Sequence, residues 1–210
     1  VEMESDGVDT AKLEKAITEN QNVKLFYTIP NFQNPTGITT SLEKRREIYR
    51  ICKKHNVMIL EDNPYGDLRF SGEPVPSIKS FDEDGAVIYI GSFSKIVAPG
   101  MRVGFALAPQ PLITKMTVGK QCEDVHTNIL AQMIIEQLLT KTDLEAHISK
   151  IAEIYRKKCQ LMLDCIDRKF SPSVTHTTPQ GGLFLWCTLP EGADMMEFCR
   201  KAAQKDVAVV

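Results

Sequence analysis

The sequence predicts an α/β fold of three layers, a mostly parallel sheet with helices on both faces, followed by part of a small α+β domain. Three observations carry this expectation. Apolar runs of strand length, VKLFY (23–27), VMIL (57–60) and VIYI (87–90), recur roughly every 30 residues, the repeat of a βαβ unit. A stretch with helical amphipathic spacing separates the first two runs. From about residue 111 the pattern becomes helical, and short strand-like runs return only near the end.

Each element has a local reason. The run 23–27 reads as a buried strand, and the Pro-, Asn- and Gly-rich segment 30–37 that follows reads as a loop. Thr40 and Glu43 have the spacing of a capping box, which predicts a helix running to about His55. Its apolar side would use Leu42, Tyr49 and Cys52, with Ile48 and Ile51 beside them. The run 57–60 is the next strand and ends in the turn-rich segment 62–66; the run 87–90 is the third. A fourth strand, 103–108, follows too soon for a parallel crossover and is expected to be antiparallel. Leu130, Ile134, Ile135, Leu138 and Leu139 sit at helical spacing, and a long helix is expected from Asp143 to about Lys169, broken by Ser171 and Pro172. Strands at 173–177 and 183–189, a helix at 194–204 and a strand-like run at 207–210 complete the pattern. The expected division is a large domain over 1–140, a connecting helix over 141–170 and a small domain over 171–210.

Composition excludes several functions. The chain has 210 residues, a quarter of them charged, and a net charge of -2, so electrostatics gives no case for nucleic acid or a membrane surface as partner. No apolar run approaches the ~20 residues of a membrane span, and no charged-then-apolar leader is present. The cysteines (Cys52, Cys122, Cys159, Cys165, Cys187, Cys199) form no Cys-x-x-Cys pair and the four histidines are scattered, so no metal site is expected. The cysteines read as small buried hydrophobes in a reducing, cytoplasmic setting. A start at Val1 without methionine and an end inside the apolar run 207–210 read as a piece of a longer protein.

In open parallel sheets ligands sit beyond the carboxyl ends of the strands. The first strand is followed by Asn34, in Asn-Pro-Thr-Gly. The second leads into Glu61, Asp62 and Tyr65, in Glu-Asp-Asn-Pro-Tyr-Gly. The third leads into Ser92, Ser94 and Lys95, in Gly-Ser-Phe-Ser-Lys, and then Arg102, in Pro-Gly-Met-Arg-Val-Gly. Singly, each has a plainer reading: Asn34 as a turn residue, Asp62 as a loop cap, Tyr65 as packing, Lys95 and Arg102 as solvated cations, the serines as caps. Together they match one ligand, pyridoxal 5'-phosphate (PLP). Its phosphate suits hydroxyls and an arginine fork. Its pyridine nitrogen needs a carboxylate to stay protonated, which makes the ring an electron sink. Its phenolate oxygen suits an amide and a phenol, and its aldehyde suits a lysine amine whose pKa burial beside cations would lower.

The segments 27–37, 61–66 and 92–104 resemble, in order and spacing, three motifs of the class I aminotransferases, PLP enzymes of fold type I. Pro-Gln-Gly-Gly-Leu-Phe-Leu-Trp (179–186) is similar to the strand that opens the family's small domain. The wording is closest to the branch holding aminoadipate, kynurenine and aromatic aminotransferases, and the resemblance covers essentially the whole chain. It implies that Lys95 joins the cofactor and shuttles a proton, that Asp62 pairs with the pyridine nitrogen, that Asn34 and Tyr65 bond the phenolate oxygen, and that Ser92, Ser94 and Arg102 bind the phosphate. It implies amino acid and 2-oxo acid substrates and a homodimer. It also implies that the family's glycine-containing phosphate loop, the ring that stacks on the cofactor and the arginine that grips the substrate carboxylate lie outside this sequence, so the chain as given is expected to be inactive. Two other readings keep PLP: the sensor domain of a winged-helix transcription regulator, and a lyase or decarboxylase. His126 to Asn128 either approach a partner subunit's site or start a helix.

Overall fold

The computed structural model describes residues 1–209. A small hairpin, β1 (Met3–Glu4) and β2 (Gly7–Val8), leads into α1 (Thr10–Glu19), whose first turn is capped by Asp9 accepting from the Lys12 amide at 3.0 Å. Then come β3 (Leu25–Thr28), α2 (Leu42–Lys54), β4 (Met58–Asp62), β5 (Val87–Ser92) and β6 (Gly104–Leu107). These four strands form one sheet in the order β3-β4-β5-β6; the first three are parallel and β6 runs antiparallel to β5, as its short connection requires.

The core sits on one face of this sheet. Leu13 and Ile17 of α1 and Ile48, Ile51 and Cys52 of α2 pack on Ile59 of β4 and Val87 of β5, with Val8, Val57 and Ile78 closing the cluster. The register explains why these residues meet. Ile59 pairs with Val87 and Phe26 with Ile59, so all three share a face, while Leu25, Met58, Tyr27, Leu60 and Ile88 share the other. The shared fold class is therefore set by the period-2 pattern of three short runs.

Several boundaries differ from the sequence expectation, each for a local reason. The cap of α2 is Ser41, whose Oγ accepts from the Lys44 amide; the expected capping box at Thr40 does not form, because Thr40 is buried and its amide, which the box would pair with Glu43, donates to the Pro30 carbonyl at 2.8 Å. The buried face of α2 is Arg45, Ile48, Ile51 and Cys52, with Leu42 and Tyr49 at its margin. The strand expected at 183–189 shrinks to β8 (Cys187–Thr188), paired with β7 (Thr175–His176). The segment before it spends its hydrogen bonds elsewhere: Gly182 donates to the Leu68 carbonyl and Phe70 to the Gln180 carbonyl, both at 3.0 Å.

The second half is helical. It holds α3 (Gln110–Glu123), α4 (Ile129–Lys141), α5 (Leu144–Lys169) and α6 (Met195–Ala203). Asn128 caps α4 by accepting from the Ala131 amide at 3.1 Å, so this residue takes the helix-start role. Asp143 caps α5 and Asp194 caps α6. Residues 207–209 form no strand; the Val207 amide donates to the Ala202 carbonyl at the end of α6, and residue 210 lies outside the described residues. The cysteines are all free, but only Cys52 is buried, and Cys122 is exposed on α3. The other four are half-buried. No helix among the described residues is long and apolar enough to cross a membrane.

Candidate active site

The three parallel strands end at one edge of the sheet, and the antiparallel β6 begins there. Register places Thr28 beside Glu61 and Asp62 beside Ile90, while Ser92 pairs with Gly104. The loops carrying Asn34, Asp62 with Tyr65, and Lys95 with Arg102 therefore emerge on the same side.

Asp62 is the last residue of β4 and is half-buried. Its Oδ2 accepts a 2.7 Å hydrogen bond from the hydroxyl of Tyr27 on β3. Tyr65 is buried, and Phe184 meets its ring edge-on at 5.5 Å. Burial pushes the Tyr65 phenol upward, the Asp62 charge adds to this, and the Asn34 amide, bonded to the phenol, opposes both. Asn34 itself is exposed at the tip of its loop.

The turn after β5 gathers the remaining groups. The Ser94 amide donates to Ser92 Oγ at 3.1 Å, and Arg102 donates through Nη1 to the Pro99 carbonyl at 3.0 Å and to Ser94 Oγ at 3.4 Å. Arg102 follows the 3-10 turn Pro99–Met101 and adopts φ 55°, a left-handed conformation uncommon for a side chain of this size. Such strain persists where the surroundings hold it and is found often at ligand sites. Lys95 is half-buried and makes no side-chain hydrogen bond among the described residues; the neighbouring Ile96 carbonyl meets Nε2 of His147 on α5 at 2.9 Å. The enclosure expected around the Lys95 amine is therefore only partial in this chain. Chemically, the set offers a free amine, two hydroxyls with a guanidinium, a carboxylate, and an amide with a phenol.

Sequence reasoning missed the groups that hold these loops together. Arg45 of α2 is fully buried and makes five hydrogen bonds: Nε to the Thr40 carbonyl (2.9 Å), Nη1 to the Val75 (3.1 Å) and Pro76 (3.0 Å) carbonyls, and Nη2 to the Pro30 carbonyl (2.9 Å) and Asn31 Oδ1 (2.6 Å). Burial lowers its pKa to about 10, with Glu61 opposing that shift, so it remains a cation at neutral pH. Asn31 in turn donates to Asn63 Oδ1 (2.8 Å), and Asn63 to the Tyr89 hydroxyl (2.7 Å). This chain of amides ties the loop of Asn34 to the loop of Asp62 and Tyr65. Buried Glu61 accepts from the Ile78 and Lys79 amides at 2.8 and 2.7 Å, although burial pushes its carboxyl upward. A signal for Arg45 did exist: it lies three and seven residues before Ile48 and Cys52, on their helical face.

The segment 179–186 presses on the same loops. Gly182 has φ 73°, and a Cβ there would meet the Phe32 Cβ at 2.4 Å; at Gly37, φ 71°, it would meet the Phe184 carbonyl oxygen at 2.7 Å. Only glycine permits both the conformation and the approach. The Thr177 hydroxyl donates to the Thr36 carbonyl at 3.0 Å, fastening the segment to the Asn-Pro-Thr-Gly loop.

Comparison with known proteins fits this geometry. The sequence profile of the family "Aminotransferase class I and II" matches residues 1–210. The chain belongs to the class I and II aminotransferases. The aromatic-amino-acid aminotransferase 1 of Thermococcus litoralis is 43% identical over 199 residues, which are 95% of this chain and 48% of that protein. The crystal structure of Pyrococcus horikoshii kynurenine aminotransferase, solved with PMP, superposes with a TM-score of 0.95 at 36% identity, over 99% of this chain and 52% of that one. The α-aminoadipate aminotransferase LysN of Thermus thermophilus, solved with N-(5'-phosphopyridoxyl)-L-leucine, gives 0.93 at 35% identity, over 100% and 54%. An HTH-type transcriptional regulator of Bacillus subtilis matches at 30% identity, over 99% of this chain and 43% of that protein. The chain spans about half the length of the relatives it matches. Its fold is thus part of the PLP fold type I architecture of this aminotransferase family.

Proposed function

We propose that the chain carries the lysine-bearing half of a PLP-dependent aminotransferase that moves an amino group between an amino acid and a 2-oxo acid. One observation supports this above the others: three adjacent parallel strand ends and the start of an antiparallel fourth bring a free amine, a carboxylate, an amide–phenol pair and a hydroxyl–guanidinium cluster to one edge of a sheet. Each matches a different functional group of PLP. Lys95 would hold the cofactor; Ser92, Ser94 and Arg102 would take its phosphate; Asn34 and Tyr65 its phenolate oxygen; Asp62 its ring nitrogen. When bound, PLP supplies an electron sink for negative charge developing at the substrate's α-carbon. Lys95 Nζ would accept the substrate's α-proton and carry it, and Asp62 would keep the proton on the ring nitrogen. Arg102 would hold the phosphate end while the Arg45–Asn31–Asn63 chain keeps the two donor loops in register.

The same reading divides the chain into a cofactor-binding large domain over 1–140, a connecting helix over 141–170 and a small domain over 171–210. It places the protein in the cytoplasm as a homodimer; the six free thiols accord with a reducing compartment, and sedimentation would test the assembly. A visible absorption spectrum of the full-length protein with added PLP tests the function. We expect a band that is lost in Lys95→Ala and that changes on adding an amino acid of the aminoadipate or aromatic class. A Lys95-dependent band that no amino acid changes would favour the second reading, a PLP-binding sensor domain, which the matching HTH-type regulator supports. No band at all would refute both.

A further inference from the structure

The Asp62 carboxylate has a partner that the cofactor assignment does not use. Tyr27 on β3 and Asp62 on β4 stand on the same face of two paired parallel strands, since Tyr27 pairs with Leu60 and Asp62 lies two residues further on. The Tyr27 hydroxyl is 2.7 Å from Asp62 Oδ2 and is the one side-chain donor to this carboxylate among the described residues. Both ends of the bond are carried by the sheet ladder and not by loops, so its direction is held by backbone pairing.

We propose that Tyr27 is a positioning residue: its phenol engages Oδ2, turns the Asp62 carboxylate, and leaves Oδ1 free for a protonated ring nitrogen. The proposal rests on the PLP reading of the site. A carboxylate on a strand end can rotate about its terminal bond; a donor on one oxygen selects one orientation and removes part of the cost of ordering it on binding. The phenol can serve only while protonated. Burial, the bond to Asp62 and the charges of Asp62 and Tyr65 push Tyr27 up to about 12, so it remains a donor through the neutral range. Tyr27 is nevertheless 52% exposed, outside the core, so removing its hydroxyl leaves the packing intact.

The test uses the full-length protein with PLP as the probe. Dissociation constants are measured from the Lys95-dependent band for the unmodified protein, Tyr27→Phe, Asp62→Asn and the double variant, with thermal unfolding as a check on fold. In parallel, the Tyr27 ring carbon is titrated by NMR without cofactor, in the unmodified chain and in Asp62→Asn. We expect Tyr27→Phe to weaken PLP binding about three- to tenfold, the worth of one hydrogen bond. The double variant should bind no more weakly than Asp62→Asn alone, since the phenol acts only through that carboxylate. The Tyr27 titration should move below its starting point near 12 in Asp62→Asn. Unaltered affinity in Tyr27→Phe, losses that add in the double variant, or a Tyr27 titration indifferent to Asp62→Asn would each overturn the proposal. If the unmodified full-length protein gives no Lys95-dependent band, the PLP reading fails and the positioning role fails with it. The cofactor-free titration then shows separately whether the Tyr27–Asp62 pair exists.

Discussion

The two halves of the chain bury their apolar residues differently. Up to about residue 90, α1, α2 and the sheet enclose Leu13, Ile48, Ile51, Val57, Ile59, Ile78 and Val87 to 2% exposure or less. Beyond residue 110, the helices among the described residues bury only Ala131, Ile135, Ala152, Leu163 and Ile166 to 9% or less, while Leu130, Met133, Leu161, Met162, Met195 and Met196 stand more than half exposed. Both halves have well-capped helices, so helix formation and core formation are separate matters. A cap and a 3.6-residue pattern specify a helix; a core also needs a second surface in contact with it.

The largest effect should come from the buried cation in the first half. Arg45→Met fits the volume but strands four carbonyls and the Asn31 side chain, so it should cost about 3–5 kcal/mol in urea unfolding and weaken PLP binding as the Asn34 loop loosens. A loss under about 1 kcal/mol would mean water replaces the guanidinium, and the first half is less closed than its burial indicates.

Matched truncations come next. Ile59→Ala, at 0% exposure, should cost about 2–4 kcal/mol, whereas Ile134→Ala, at 48% exposure, should cost below about 1 kcal/mol. Equal losses would show that α4 is buried in solution against something else and would erase the contrast. A smaller change is expected at a cap: Asp143→Ala removes the acceptor for the Ala146 amide at 2.9 Å and should lower the stability of α5 by about 1 kcal/mol, read as lost helical signal on heating.

The smallest effect concerns acid. Glu14 on α1 is held down to about 2, from an ordinary 4.5, first by its bond to Lys54 and then by His55, both at the end of α2. Its folded pKa lies below the unfolded one, so its contribution is present above about 4.5 and is lost as pH falls towards about 2. Glu14→Gln should flatten that part of the unfolding midpoint's pH profile; because the pair is exposed, the change should be slight.

Legibility followed the range of the physics involved. The three strands, the antiparallel fourth, the long helix from Asp143 and the polar residues at each strand end were all readable, because period, capping residues and connection length are near-neighbour properties. The candidate site residues were nominated for the same reason, each standing at or just past a strand end. Less readable were the starts of α2 and β8, where a distant backbone competed for the same hydrogen bonds: the Pro30 carbonyl took the Thr40 amide, and the loop at Leu68–Phe70 took the segment at Gln180–Gly182.

By itself, then, the sequence determined the order and kind of the elements, and which chemistry stands at which strand end. Tertiary structure alone decided that Arg45 is buried and not solvated, that the Tyr27 hydroxyl bonds Asp62, and that Gly37 and Gly182 let one segment lie across the Asn34 loop. Those outcomes depend on which strands become neighbours and in what register. Pairings between residues 14 to 150 positions apart are set by the packed sheet, not by any local preference along the chain.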